Sequence, residues 1–73
     1  MGGYKVEAFV IEGAYIELIQ LLKATGVAES GGQAKMIVSE GEVFRNGEVE
    51  LRKRAKLIKG DRIEVGDLVF KME

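Results

Sequence analysis

Two groups of residues in this chain are suited to one kind of chemistry, the capture of an anion. The first is Ser30-Gly31-Gly32-Gln33-Ala34-Lys35, which reads as the start of a helix. Ser30 is the cap, and the Ser30-x-x-Gln33 spacing is a capping box, in which each side chain can accept a backbone N–H of the other residue. A helix start offers amides without intrahelical partners and the positive end of the helix dipole. Gly31 and Gly32 place no side chain between those amides and an approaching phosphate. Each glycine costs up to about 1 kcal/mol of helix propensity relative to Ala, so a compensating role is expected. Lys35, one turn beyond Gly31, adds a cation on the same ridge. Ordinary helix capping accounts equally well for Ser30 and Gln33.

The second group is Arg52-Lys53-Arg54-Ala55-Lys56. Read as a strand, it sends Arg52, Arg54 and Lys56 to one face and Lys53 to the other. Like charges sharing a face repel, so a partner that supplies negative charge is expected. The guanidinium groups would fork onto phosphate oxygens, and the lysines would act as point charges. The competing reading is a solvated sheet edge whose cations discourage strand-to-strand aggregation. Arg45, at a hairpin position, adds a cation or simply faces water. Lys23 extends the patch or complements the negative end of the preceding helix.

The formal charge of −1 is unevenly distributed. Residues 45–62 hold seven cations against three acids, a local +4, and the rest holds four against nine, a local −5. Such a field can steer a ligand even when the total is near zero. Seventy-three residues make a single domain with a modest core and little room for a deep pocket. With no Cys and no His, thiolate chemistry, disulfides, the usual metal ligands and the commonest general base are all unavailable. No catalytic residue, metal site or cofactor is expected. Glu40, Glu42, Glu48 and Glu50 read as solvated charges, because nothing fixes a pair of them at catalytic distance. No apolar run approaches a membrane span and no signal-peptide pattern opens the chain, so a cytoplasmic protein is expected.

The elements that must position these groups are legible in outline. Residues 4–11 read as a strand. From Ala14 to Thr25, Leu18, Leu21 and Leu22 repeat at helical spacing, and Gly26 suits a left-handed stop. Ala34, Ile37 and Val38 repeat the pattern in a second helix of roughly ten residues that ends at Gly41. Val43-Phe44-Arg45, Asn46-Gly47 and Glu48-Val49-Glu50-Leu51 form a hairpin signal, since both central turn positions need φ > 0. Ile63 and Val65 alternate with polar neighbours, Gly66-Asp67 is a further turn, and Leu68, Phe70 and Met72 alternate with Val69 and Lys71. Aromatic side chains are expected in the core, with Phe44 the one near the basic segment. The fold class is therefore α+β, two short helices packed on a small, mainly antiparallel sheet.

With these elements in order, the chain resembles the S4 RNA-binding domain. The likeness runs through Leu18-x-x-Leu21-Leu22-Lys23, Gly26, Ser30-Gly31-x-Gln33-Ala34-Lys35, Glu40-Gly41-x-Val43, Asn46-Gly47, Arg52-Lys53-Arg54-x-Lys56-Leu57 and Gly60-Asp61-x-Ile63-x-Val65. It is narrowest to the small bacterial single-domain S4 proteins, with a core motif over about residues 14–65. The resemblance implies that the two helices and the following hairpin form one RNA-binding surface, the αL motif. By position it places Lys23, Ser30, Gly31, Gly32, Gln33, Lys35, Arg45, Arg52, Lys53, Arg54 and Lys56 there. Two positions depart from the pattern: Gly31 stands where many S4 domains carry Arg, and Arg45 stands where an apolar residue is common.

The function expected from residues and resemblance together is non-catalytic binding of structured RNA, of the ribosomal or transfer class, through backbone phosphates and shape. Ribosomes or ribosome-associated proteins are the wider partners implied, and no membrane is. Three other readings stay open: a protein-interaction module that uses the acidic remainder, a subunit of a catalytic complex, and a DNA binder, since phosphates alone do not specify the sugar.

Overall fold

The computed structural model describes residues 3–73. Its elements run β1 (Lys5–Phe9), β2 (Ile16–Glu17), α1 (Leu18–Ala24), α2 (Gly31–Ser39), β3 (Val43–Arg45), β4 (Glu48–Val49), β5 (Lys56–Leu57), β6 (Arg62–Val65) and β7 (Leu68–Met72). The main sheet has the order β1-β7-β6-β3-β4, and β2 and β5 form a separate antiparallel pair. Every neighbour in the main sheet is antiparallel except β1, which lies parallel to β7. This is the expected α+β class, with one parallel edge.

Local chemistry explains the turns. Asn46 (φ 52°) and Gly47 (φ 88°) take the two left-handed positions of the β3–β4 hairpin. Gly26 ends α1 at φ 82°, as the sequence requires. Bonds from Gly41 N–H to Val38 O (3.1 Å) and from Glu42 N–H to Ile37 O (3.4 Å) close α2 in a Schellman motif.

The first helix is shorter than the apolar spacing predicts. Ile16 and Glu17 pair with Leu57 and Lys56 instead of joining the helix. Leu18 N–H donates to Ala55 O at 2.9 Å and Ile19 N–H to Lys53 O at 3.3 Å. Those two carbonyls satisfy the opening amides of α1, and Glu17 makes no side-chain cap bond. A distant loop, rather than a local cap, therefore fixes where the helix begins.

Leu18, Leu21 and Leu22 from α1 and Ala34 and Val38 from α2 are buried with Val43, Leu57, Ile63, Val65, Phe70 and Met72 in one core. Truncating one of the leucines to Ala is worth about 2–5 kcal/mol, a large share of a small domain's stability. On the sheet face turned away from this cluster, Val6, Val69, Glu64, Phe44 and Val49 stand side by side across all five strands. The alternation expected for β7 holds, but Val69 is fully buried as well, because β1 and β6 flank it on that outer face. No helix among the described residues is long and apolar enough to cross a membrane.

Candidate nucleic-acid interface

The basic segment is not a strand. Arg52, Lys53 and Arg54 form a tight turn closed by Ala55 N–H donating to Arg52 O at 3.1 Å, and only Lys56 and Leu57 are extended. The same turn lends the carbonyls of Lys53 and Ala55 to α1, so its backbone is anchored while its side chains project. The expected split, with Lys53 opposite Arg52, Arg54 and Lys56, is replaced by a loop in which all four are exposed. An open depression of about 550 Å³ is lined by Arg45, Arg52, Arg54, Ala55 and Lys56.

These cations differ in what already holds them. Arg45 is neither a solvated charge nor a free ligand for phosphate. Its side chain is only 20% exposed, with Nη2 at 2.7 Å from Asp61 Oδ2 and Nη1 at 3.6 Å from Glu50 Oε1. Nη2 also donates to Lys56 O at 3.0 Å. Arg52 forks onto Glu50, Nε to Oε2 at 3.0 Å and Nη2 to Oε1 at 3.1 Å, yet its side chain stays 74% exposed. Arg54 meets Glu17 at 3.4 Å while 79% exposed. The Arg54–Glu17 contact is of the exposed kind worth about 0–1 kcal/mol, which a phosphate can displace, whereas Arg52 is held by a carboxylate that is itself buried.

Glu50 corrects an expectation. It is 7% exposed, not a solvated acid, and bonds from the Arg52 side chain hold its carboxyl below the usual range. Burial alone would raise the Asp61 carboxyl. Bonds from Ile58 N–H (2.9 Å), Asn46 Nδ2 (3.0 Å) and Arg45 outweigh that and lower it. Arg45, Glu50 and Asp61 thus form a clasp that fastens the hairpin to the start of the basic loop and to β5.

Tyr15 is the aromatic that reaches the basic loop. Lys56 Nζ sits 4.9 Å from its ring centroid, and the ring remains 43% exposed. Sequence order hides this, because Tyr15 lies far from Lys56 until β2 pairs with β5. Phe44, expected near the cations, lies on the outer face of the sheet.

The start of α2 is built nearly as its spacing predicts. Ser30 Oγ accepts from Gln33 N–H at 3.1 Å. Gln33 Oε1 reaches one residue further back than a capping box requires, accepting from Glu29 N–H at 2.6 Å. Ala34 N–H donates to Ser30 O at 3.0 Å, which leaves the amides of Gly31 and Gly32 as the open donors of this helix start. Neither glycine has a positive φ, and a Cβ on either would meet nothing closer than Ser30 Oγ at 3.9 Å. Nothing among the described residues demands glycine here. Lys35 on α2 and Lys23 in the last turn of α1 are both exposed.

The basic loop and the α2 start occupy opposite ends of α1. The loop caps the first residues of α1, and Ala28 N–H to Leu22 O (2.9 Å) folds the α1–α2 connection back on its last turn. Seven helical residues separate them, about 10 Å of rise. Lys23 stands at the α2 end of that gap. The two candidate groups are therefore spread along α1, as a track rather than one spot.

Two helices on a small sheet, with a cation-rich loop after a hairpin, define an αL-type architecture. The chain belongs to the S4 domain family, whose model matches residues 9–73. It is 47% identical over 49 residues to the Escherichia coli (strain K12) protein named "Putative RNA-binding protein YbcJ", covering 67% of this chain and 70% of that one. It is 44% identical over 55 residues to the Bacillus subtilis (strain 168) protein named "Probable ribosome maturation protein RlbA", covering 75% and 78%. The solution structure of YbcJ from E. coli, described as revealing an αL motif involved in RNA-binding, superposes with a TM-score of 0.67. That match is at 36% identity and covers 89% of this chain and 84% of that one.

Proposed function

We propose that this chain is a non-catalytic, cytoplasmic RNA-binding module that takes structured RNA of the ribosomal or transfer class by its phosphates and shape. The observation that carries the reading is the open depression lined by Arg45, Arg52, Arg54, Ala55 and Lys56, whose loop is pinned to α1 by its own carbonyls. A loop anchored through its backbone fixes where its cationic side chains originate before the ligand arrives, which limits the ordering that binding must impose. Lys53, Arg54 and Lys56 supply the main grip, and Arg52, whose side chain stays exposed while it holds Glu50, adds its charge at the rim. Gly31 and Gly32 offer amides at the far end of the track, with Ser30 and Gln33 holding that end open and Lys23 and Lys35 adding charge. Arg45 serves by fixing the loop rather than by touching RNA. The names of the two relatives support RNA as the ligand and ribosome maturation as the setting.

The test is a titration of structured ribosomal RNA fragments, matched DNA duplexes and transfer RNA across a range of salt. Neutralising about four phosphates gives a slope of roughly −3 in log K against log salt. Replacing Lys53, Arg54 and Lys56 together with Ala is expected to weaken RNA binding and flatten that slope. Unchanged affinity in the triple variant overturns the site, and salt-insensitive association with a protein favours an interaction module instead.

A further inference from the structure

We propose that the exposed edge of β1 is a self-association surface, on which β1 of a second copy pairs antiparallel about a two-fold axis through Val6. β1 is the terminal strand of the main sheet and, among the described residues, has a neighbour, β7, on one side only. Its bonds to that neighbour use odd-numbered residues: Lys5 N–H donates to Asp67 O, Phe9 O accepts from Glu73 N–H, and Ile11 N–H donates to Glu73 O. In a parallel ladder each residue turns both its N–H and its C=O to the same side. The groups of Val6 and Ala8, with those of the flanking Tyr4 and Val10, therefore point outward at the open edge.

Of the devices that usually blunt such an edge, β1 carries two charges, Lys5 and Glu7, and little else. There is no proline in the chain, and the strand runs five residues in continuous register with β7. The opposite edge, β4, is only two residues long. On the outer face of β1, Tyr4, Val6 and Val10 are 66%, 54% and 69% exposed.

The charges select both the occupant and the register. Centring the axis on Val6 places Lys5 opposite Glu7 of the second copy and Glu7 opposite its Lys5, two symmetric ion pairs on one face. On the other face Val6 meets Val6, and bulky Tyr4 meets small Ala8. Centring the axis on Lys5 or on Glu7 sets like charges directly opposite, which is unfavourable. Centring it on Ala8 leaves Lys5 and Glu7 against the apolar Ile11 and Phe9. Lys5 and Glu7 also fall in the closer, non-hydrogen-bonded positions of the ladder, while Val6, Tyr4 and Ala8 supply about six new backbone bonds. The row Val49–Phe44–Glu64–Val69–Val6 then continues across the axis into its own copy. Residues 5–8 precede the stretch matched by the family model, which begins at residue 9, so this edge stands apart from the RNA reading.

A pairing of two short strands is small, so the association belongs to the weak class and is measured at high concentration. Sedimentation equilibrium of the full chain from about 10 μM to about 1 mM reads it. Lys5→Glu and Glu7→Lys each set like charges opposite and are expected to weaken self-association about tenfold or more. In an equimolar mixture of the two variants, each mixed pair again sets a carboxylate opposite an ammonium at both charged positions, so association is expected to return. Val6→Pro removes an outward donor without touching a bond to β7, and is expected to give monomer with RNA affinity intact. A parent chain that stays monomeric to about 1 mM overturns the proposal. So does a dimer indifferent to both charge variants, or one that the mixture fails to restore.

Discussion

The Arg45 clasp and the Lys53–Lys56 loop are built from the same residue types in neighbouring stretches of chain, yet they do opposite things with their charge. In the clasp, cation and carboxylates are largely withdrawn from water and consume one another. In the loop, the cations are exposed, and their partners hold them only at the surface. Buried pairs of this sort fix geometry, and breaking one leaves a stranded charge. Exposed cations contribute little to stability and remain free to exchange partners. Counting Lys and Arg along the segment measures neither quantity, because burial decides which role a cation plays.

The largest effect is expected from Arg45→Ala. It removes the cation that Asp61 and Glu50 share, leaving Glu50 to Arg52 and Asp61 to neutral donors only. About 2–4 kcal/mol of stability is expected to go, allowing for the partial exposure of the site. For a domain this small that lowers Tm by roughly 10 °C or more. Thermal melts followed by circular dichroism check it, and a Tm within a degree or two of the parent contradicts a structural role for Arg45.

Acid tests the same clasp from the carboxylate side. The ordinary values are 4.5 for Glu50 and 3.8 for Asp61, and both are lowered in the fold. Groups with lowered values contribute stability that is present above their unfolded values and is lost as pH falls through the folded ones. Urea midpoints are therefore expected to hold steady near neutrality and to drop below about pH 4.5. Asp61→Asn is expected to flatten that drop while lowering stability at neutral pH.

The loop answers differently. Changing Lys53, Arg54 and Lys56 together to Ala is expected to shift stability by only about 0.5 kcal/mol per site or less, with most of the RNA affinity lost. Equal losses of Tm and affinity would erase the distinction between the two regions. A smaller effect, with the opposite signature, is expected at the other end of the track. Gly31→Ala and Gly32→Ala meet no steric obstacle and each gains up to about 1 kcal/mol of helix propensity. Their added methyls stand over the open amides, so thermal stability is expected to rise while RNA affinity falls.

What can be read in the chain alone follows the same division between local and distant causes. Asn46-Gly47, the Ser30 cap, and the helix stops at Gly26 and Gly41 are set by neighbours within a few residues, and all appear where the sequence places them. The start of α1 is not readable, because carbonyls of Lys53 and Ala55 cap it across the fold. Arg45 reads as one more member of a basic run, since its partner Asp61 is 16 residues away. Glu50 reads as solvated although its partner Arg52 is only two residues away, because its burial is set by the folded hairpin and loop around it. Tyr15 meets Lys56 only once β2 and β5 have paired. The parallel placement of β1 beside β7 joins the two ends of the described chain, and no short-range signal marks it.

In the proposed function, cations held outward by an anchored loop, and not those closed in the clasp, bind RNA. Affinity of a structured ribosomal RNA fragment, measured against salt for the parent and for the Lys53/Arg54/Lys56 triple-Ala variant, tests it directly. A parent slope of roughly −3 is expected to flatten by about 2 or more in the triple variant, with both proteins melting at nearly the same temperature. A triple variant that keeps the parent's affinity and slope while remaining folded contradicts it.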